Sequence, residues 1–488
     1  MSLRITFSEE QIQELFGYEA AEDERFTRLK SYFFKNDAYS KINADLPLRI
    51  LVGHKGIGKS AIFRVSYQDN VAANKLALWI RPDDIADLCE VTDETQDFLK
   101  LIRAWKEGLE KLIYDLVIDN IGEGLSNNAI RPPLTKGLRV LNSLSRMFRS
   151  DTFRIDEAKK VVVANFLKAQ SIYIYIDDLD RGWTGSANSI RRISALLSAV
   201  RDLSNDNEGL RFRISLRSDV YYLVRTSDES TDKIDGSVIW LSWTTHEILA
   251  LLAKRIQTFL SARISEKELM RMPQFKIAEY LRPIFCECFD GSGKWEHAPI
   301  HKVLTSMIRR RPRDLVKLCV LAAREANSNG HTIIQTEDFQ VIFDKYSQDR
   351  VRDVINEHRY ELPEVERLIL GMKPSKEAKK TEEVFVYTEE KLLQKIAGII
   401  QGGPFFFSNG QQASADDLLF FLYKINFIVG RKENHEGYID RRYFEDQQYI
   451  STSHASFGYL WEVHPAYRWA LYPERKDIFA CIELEDSI

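Results

Sequence analysis

The 488-residue chain is expected to have an α/β fold, with a parallel sheet core, a helical segment after it and a C-terminal module of helices and strands. Three observations carry that expectation. Leu48, Ile50, Leu51 and Val52 form an apolar run that ends in a glycine-rich loop. Ile172 to Ile176 form a second, which ends in Asp177-Asp178. Phe212, Ile214 and Leu216 alternate with polar residues in a third, which ends in Arg217-Ser218-Asp219. Each run of β-formers gives way to polar residues at its C-terminal end, where open parallel sheets gather their ligands.

The first element is the most specific. Gly53-His54-Lys55-Gly56-Ile57-Gly58-Lys59-Ser60 fits the pattern G-x-x-x-x-G-K-[ST], and Ala61-Ile62-Phe63-Arg64-Val65 can continue as a helix. Strand, glycine loop and helix are the context this phosphate-binding motif requires. Its glycines let backbone N–H groups turn inward around phosphate oxygens. The helix starting near Lys59 adds its positive end to the same anion. The expected ligand is ATP or ADP, held by residues Gly53 to Ala61, with Lys59 on the β- and γ-phosphates and the Ser60 hydroxyl on Mg²⁺.

The second and third elements supply the remaining chemistry. The second run looks like a Walker B strand, which implies that Asp177 holds Mg²⁺ through water and that Asp178 occupies the place where many such ATPases carry an acid that orients or deprotonates the attacking water. Arg217, at the sheet edge, reads either as a sensor of the γ-phosphate or as an ordinary surface ion pair.

Between the second strand, Leu76 to Ile80, and Ile172 lies a long insertion, about residues 90–165. Phe98, Ile102, Trp105, Leu109, Leu112, Ile113 and Leu116 recur in it at helical spacing, as in a packed helical subdomain. After the third strand, Thr244-x-x-Glu247 reads as a capping box opening an amphipathic helix with Ile248, Leu251, Leu252, Arg255 and Ile256. Farther on, Pro312-Arg313 opens another helical pattern, preceded by Arg309, Arg310 and Arg311. Such an arginine cluster suits phosphate or nucleic acid equally well. Cys286, Cys288, His297 and His301 are a candidate zinc set, although Cys-x-Cys is tighter than the usual spacing; buried thiols and surface imidazoles are the plainer reading.

Residues 373–383 are charged and read as a linker. Beyond them, Ala413 to Val429 has a helix-like pattern, "RRYFEDQQYIS" and "GYLWEV" read as strands, and "HPAYRWAL" as a short helix. That order fits a winged helix. Arg431, Lys432, Arg441, Arg442 and Arg468 would be available to DNA phosphates, but Glu433, Glu436, Asp440, Glu445 and Asp446 are interleaved with them.

Composition narrows the setting. Net charge is −4, from 68 basic and 72 acidic residues, so the chain as a whole is not an obvious nucleic-acid binder. It has no apolar run long enough for a membrane span, its first residues lack the apolar stretch of a secretory signal so that none is expected, and its five cysteines suit a reducing compartment, the expected cytoplasm.

Taken together, the three strand-end motifs resemble the P-loop ATPases of the AAA+ and STAND kind. Asp177-Asp178-Leu179-Asp180-Arg181 resembles the DDLDR signature of KAP-type bacterial NTPases, and "FGYEAAEDER" and "WLSWTTHEILALLAKRI" resemble a less-studied bacterial group. The likeness runs from about Phe16 to Leu471. It implies a sensor strand between the other two motif strands, and a helical lid in which Arg313 senses the γ-phosphate. Arg181 would serve a neighbouring subunit as an arginine finger. In STAND ATPases a winged-helix histidine touches the nucleotide phosphates at rest; His464 occupies the comparable place, followed by Pro465 where the motif has Asp.

The expected organisation is an ATPase core over residues 1–240, a helical lid over 241–372 and a winged-helix-like domain over 384–488. The expected function is a regulatory ATPase whose nucleotide state drives conformational change or homo-oligomerisation to control a separate effector protein, for example in bacterial antiviral defence. The alternatives are a DNA-associated ATPase that binds duplex DNA through its winged helix, and a scaffold that binds ATP without turnover.

Overall fold

The computed structural model describes residues 5–85, 97–126, 152–168, 170–227, 229–374, 384–433, 439–447, 458–472 and 484. The chain divides into two compact units. One comprises residues 36–54 and 59–241; the other comprises residues 1–35, 55–58 and 242–488.

The first unit is built on a five-stranded sheet: β1 (Leu48–Val52), β2 (Leu76–Ile80), β3 (Ile172–Ile176), β4 (Leu210–Leu216) and β5 (Val238–Trp240). The spatial order is β2-β3-β4-β1-β5, and every pairing is parallel. β4, the strand that ends at Arg217, therefore lies between β1, which leads into the glycine loop, and β3, which ends at Asp177, as the resemblance implies. This is the P-loop α/β fold with the AAA+ strand order.

Being central, β4 is covered on both faces, and the alternation read in its sequence does not mark a solvent side. Arg213 and Ser215 on it are both buried. The Arg213 guanidinium donates to the carbonyls of Ile42 at 2.5 Å, Ala44 at 2.7 Å and Leu46 at 3.0 Å. It ties down the segment that leads into β1 and satisfies the last carbonyls of the helix Asp37–Ile42.

The helical spacing read in the insertion is observed as a helix, Phe98–Ser126. Leu101, Trp105, Leu109, Ile113 and Val117 form its buried seam and join the same core as β1 to β4. The packed helical insertion is thus attached to the sheet: its seam supplies one wall of the sheet core, because a parallel sheet must have helices on its faces. Residues 127–151 of the insertion lie outside the described residues.

In the second unit, the capping box is present as expected. Glu247 N–H donates to Thr244 Oγ1 at 3.1 Å, and Thr244 N–H to the Glu247 carboxylate at 2.9 Å, at the start of the helix Thr245–Phe259. Pro312 opens the helix Pro312–Ser328, and the helix Thr336–His358 packs along it. A hairpin of β6 (Cys288–Asp290) and β7 (Glu296–Pro299) lies between the first two of these helices in sequence.

The C-terminal module has β8 (Val386–Tyr387), helices Glu389–Ile400 and Ala415–Lys424, then β9 (Ile428–Glu433), β10 (Ile439–Arg442) and β11 (Leu460–Val463). They form an antiparallel sheet ordered β10-β9-β11-β8. The expected helix from Ala413 to Val429 is shorter than read. It stops at Lys424, and Asn426 adopts a φ of 55°, which turns the chain into β9. Most of the linker lies outside the described residues. Of the expected strand "RRYFEDQQYIS", only Arg441 and Arg442 belong to β10; the chain then turns, with Asp446 N–H donating to the Tyr443 carbonyl at 3.0 Å, and residues 448–451 lie outside the described residues.

Candidate phosphate-binding site

The loop between β1 and the helix Lys59–Ala72 curls around its own lysine. Lys59 Nζ donates to the carbonyls of Gly53 at 2.7 Å and His54 at 3.1 Å. Gly53 is pinned at the sheet edge: its N–H donates to Leu216 at 3.2 Å, and its carbonyl accepts from Ser218 N–H at 3.3 Å. His54 is buried, with Nδ1 3.0 Å from the Ser218 hydroxyl. Burial pushes the Lys59 ammonium down, and the charges that oppose this are Asp180 first and then Asp177. Ser60 and Ala61 form the first turn of the helix.

Gly56 and Gly58 have φ of 78° and 108°, which only glycine adopts readily. A Cβ at Gly58 would meet nothing within 4 Å, so the space directly beside it is open.

The loop tip, residues 55–58, belongs to the second unit, which takes up its carbonyls. Arg311 donates to the Lys55 carbonyl at 3.4 Å, Arg313 N–H to the Gly56 carbonyl at 3.3 Å, and Trp243 Nε1 to the Ile57 carbonyl at 2.8 Å. In a trans peptide the following N–H points opposite to the carbonyl. Engaging three successive carbonyls therefore turns the N–H groups of Gly56, Ile57 and Gly58 toward the concave side of the loop, as an anion requires. Trp243 was missed in the sequence, where it reads only as a large apolar residue ahead of a capping box.

At the end of β3, Asp177 is buried and accepts a hydrogen bond from the Ser215 hydroxyl on β4. Ser215 was also missed. Asp178 is exposed and has a φ of 63°. Asp180 turns back into the site: its side chain is 14% exposed and its Oδ2 lies 3.6 Å from Arg217 Nε. Burial raises the Asp180 carboxyl above its ordinary range, against the pull of Arg217 and Lys59. Arg217 is held by Asp219, at 3.1 Å through Nε and 2.7 Å through Nη2. It is a largely buried ion-paired arginine on the edge of the sheet.

The hard oxygens of Ser60 and Asp177 are a donor set of the kind Mg²⁺ takes. The described residues hold no cluster of three or more metal-ligating side chains. Cys286 and Cys288 lie at the start of the β6–β7 hairpin, the Cys286 thiol raised by burial to about 11. His297 sits 3.3 Å from Asp290, and His301 is buried.

The side chains of the other expected residues have these partners. Arg313 Nε donates to the Glu19 carbonyl at 3.2 Å. Arg309 is buried against Asp314 at 2.7 Å and donates to the Tyr467 hydroxyl at 2.9 Å. Arg310 pairs with Asp446 at 3.0 Å. Arg181 is exposed, 4.0 Å from Asp83. A cavity of about 610 Å³ in the second unit is lined by Tyr18, Lys55, Arg311, Arg313 and Asp353 among others.

His464 is fully buried in the C-terminal module; Nδ1 accepts from Ala466 N–H at 3.1 Å and Nε2 lies 3.0 Å from the Tyr443 hydroxyl, so both nitrogens are engaged within the module. One expectation is corrected: of the basic residues assigned to DNA, Arg431, Arg441 and Arg468 are buried, Arg441 and Arg468 on the Glu462 carboxylate, and Arg442 pairs with Asp440 at 2.6 Å. Arginines committed to a buried carboxylate do not form a basic groove.

Residues 246–355 match the FunZ-associated C-terminal helical domain. The chain is 24% identical over 273 residues to the putative transposon gamma-delta 80.3 kDa protein of Escherichia coli K12, an alignment covering 55% of this chain. It spans only about a third, 36%, of that relative's length. Among solved structures, Aeropyrum pernix ORC2 in ADPNP-ADP complexes aligns over 86% of this chain and 85% of its own, at 11% identity and a TM-score of 0.37. The Thermotoga maritima RuvB Holliday junction branch migration motor aligns over 69% and 81%, at 11% identity and a TM-score of 0.30. Likeness at these scores carries no weight, and the fold assignment rests on the strand order and phosphate loop of the chain itself.

Proposed function

We propose that the chain is a regulatory ATPase of the AAA+/STAND kind. The observation that carries this reading is the meeting, at one edge of the sheet, of the curled lysine loop with Asp177 and its Ser215 partner. Lys59 and the inward N–H groups bind the phosphates, Ser60 and Asp177 hold Mg²⁺, and Arg217 and Arg313 respond to the γ-phosphate. Bound Mg²⁺ would neutralise charge on the β- and γ-phosphate oxygens.

In this reading the chain is organised as a core, a helical lid and a winged-helix-like domain. In that domain the order β9-β11-β8, with a helix pair before β9, supports the winged-helix assignment. Nucleotide state is then converted into a change of conformation or assembly, as a homo-oligomer acting on a separate effector in the cytoplasm. A role in bacterial antiviral defence is the setting the STAND resemblance suggests. Direct duplex-DNA binding by the C-terminal module is disfavoured by the buried state of Arg431, Arg441 and Arg468.

The test combines phosphate release, fluorescent-nucleotide binding and light scattering for wild type and Lys59→Ala, with ADP or ATP, with and without duplex DNA. ATP-dependent assembly with turnover that Lys59→Ala abolishes supports the switch. Turnover that appears only with DNA moves the reading to a DNA-associated ATPase. Tight ATP binding without turnover leaves a scaffold.

A further inference from the structure

We propose that Asp180, and not its neighbour Asp178, is the carboxylate that acts on the attacking water. This rests on the ATP-hydrolysis reading above.

The turn after β3 separates the two residues. The left-handed backbone of Asp178, with its carbonyl accepting Arg181 N–H at 2.9 Å, directs the chain outward, and its side chain is exposed. Two residues later the chain has come back. Asp180 is 14% exposed and 3.6 Å from Arg217 Nε, while Arg217 is itself fixed by Asp219. Asp180 thus stands with Arg217 at the end of β4, whose neighbour Gly53, bonded to Leu216 and Ser218, opens the phosphate loop that holds Lys59. A carboxylate in that company is positioned to order a water against phosphorus.

The step balances. The water oxygen forms a bond to the γ-phosphorus, and the bond from phosphorus to the β–γ bridging oxygen breaks with its electron pair staying on ADP. One water proton passes to the Asp180 carboxylate and from there to the phosphate product. No further reactant is needed.

The experiment compares Asp180→Asn, Asp180→Glu and Asp178→Asn with wild type in the full chain, measuring kcat, ATP affinity and thermal midpoint. Asp180→Asn is expected to lose about 100-fold or more in kcat, with ATP affinity held within about threefold. Asp180→Glu, which keeps a carboxylate, is expected to recover at least about tenfold over the Asn variant. A greater loss of kcat at Asp178→Asn than at Asp180→Asn overturns the inference and leaves the hydrolysis reading intact. So does a loss at Asp180→Asn that falls in step with ATP affinity and thermal midpoint, which a purely structural pin for Arg217 would give. A wild-type chain that binds ATP and releases no phosphate removes the hydrolysis reading, and the inference with it.

Discussion

The Ser215 hydroxyl donates to the Asp177 carboxylate across the ends of β4 and β3. The parallel register sets this up: Ile176 stands opposite Ile214, so the next residue on each strand meets its neighbour. Both are buried, at 1% and 7% exposure, and the bond fixes which way the carboxylate faces. Outer-shell partners of metal ligands commonly contribute about 10- to 100-fold to metal affinity or activity. Ser215→Ala is therefore expected to raise the Mg²⁺ concentration for half-maximal turnover by about tenfold or more, without unfolding the chain. A Mg²⁺ titration of phosphate release checks this; an unchanged midpoint would remove Asp177 from the metal shell.

Trp243 acts on the loop from the outside. Its Nε1–H is the shortest of the three contacts that hold the tip carbonyls, and the residue is 6% exposed. Trp243→Phe keeps the ring and removes the donor, leaving the Ile57 carbonyl without it. A lost hydrogen bond of this kind costs about 1 kcal/mol, which corresponds to roughly fivefold in ATP affinity. Fluorescent-nucleotide titration reads that change. Unaltered affinity would mean that the loop holds its shape without the indole.

The phosphate loop and the three strands were legible because the motif ties residue type to backbone geometry over a few neighbouring positions. The capping box at Thr244 and the helix opened by Pro312 were legible for the same reason. What escaped depends on contacts distant in sequence. Nothing near Ser215 reveals that a carboxylate lies beside it, and nothing near Arg213 announces three carbonyls from residues 42–46. Sequence reasoning assigned the attacking water to Asp178 and did not weigh Asp180, since the turn that separates them is set by the backbone at Asp178. The basic residues of the C-terminal module misled because sequence shows charge but not burial: Glu462 gathers Arg441 and Arg468 from different elements.

That buried carboxylate gives the second unit an acid sensitivity. Burial alone would raise Glu462, but Arg441 and Arg468 outweigh it and hold the carboxyl at about 2. A group depressed in the folded state stabilises fully above its unfolded value near 4.5 and loses that contribution as pH falls toward about 2. The shift corresponds to roughly 3 kcal/mol. Asp314, held well below its ordinary range by Arg309 and Arg350 despite its burial, acts in the same direction. Glu462→Gln strands two buried guanidinium groups and is expected to cost about 3–5 kcal/mol at pH 7, while flattening the fall in thermal midpoint between about pH 5 and pH 3. Thermal melts of both proteins across that range decide it; parallel curves would show that Glu462 does not carry the acid response.

His464 offers the converse case, a titratable group kept neutral. Burial, with Arg441 and Arg309 nearby, pushes its imidazole well below the usual range. The unfolded chain takes up a proton near pH 6.5 and the folded one does not, so the residue's contribution is complete above that pH and declines below it. Its Nδ1 caps the turn Pro465–Tyr467 through Ala466 N–H, and its Nε2 meets Tyr443, which makes it a clamp between β11 and the segment after β10. His464→Ala is expected to lower stability by about 1–3 kcal/mol through the loss of both bonds. ADP affinity, by contrast, is expected to stay within about twofold, because neither nitrogen is available to a phosphate. Denaturant unfolding and ADP titration on the same preparation separate the two effects. A variant that keeps its stability and loses ADP would restore His464 to the nucleotide, and with it a resting state in which the C-terminal module closes over the phosphates.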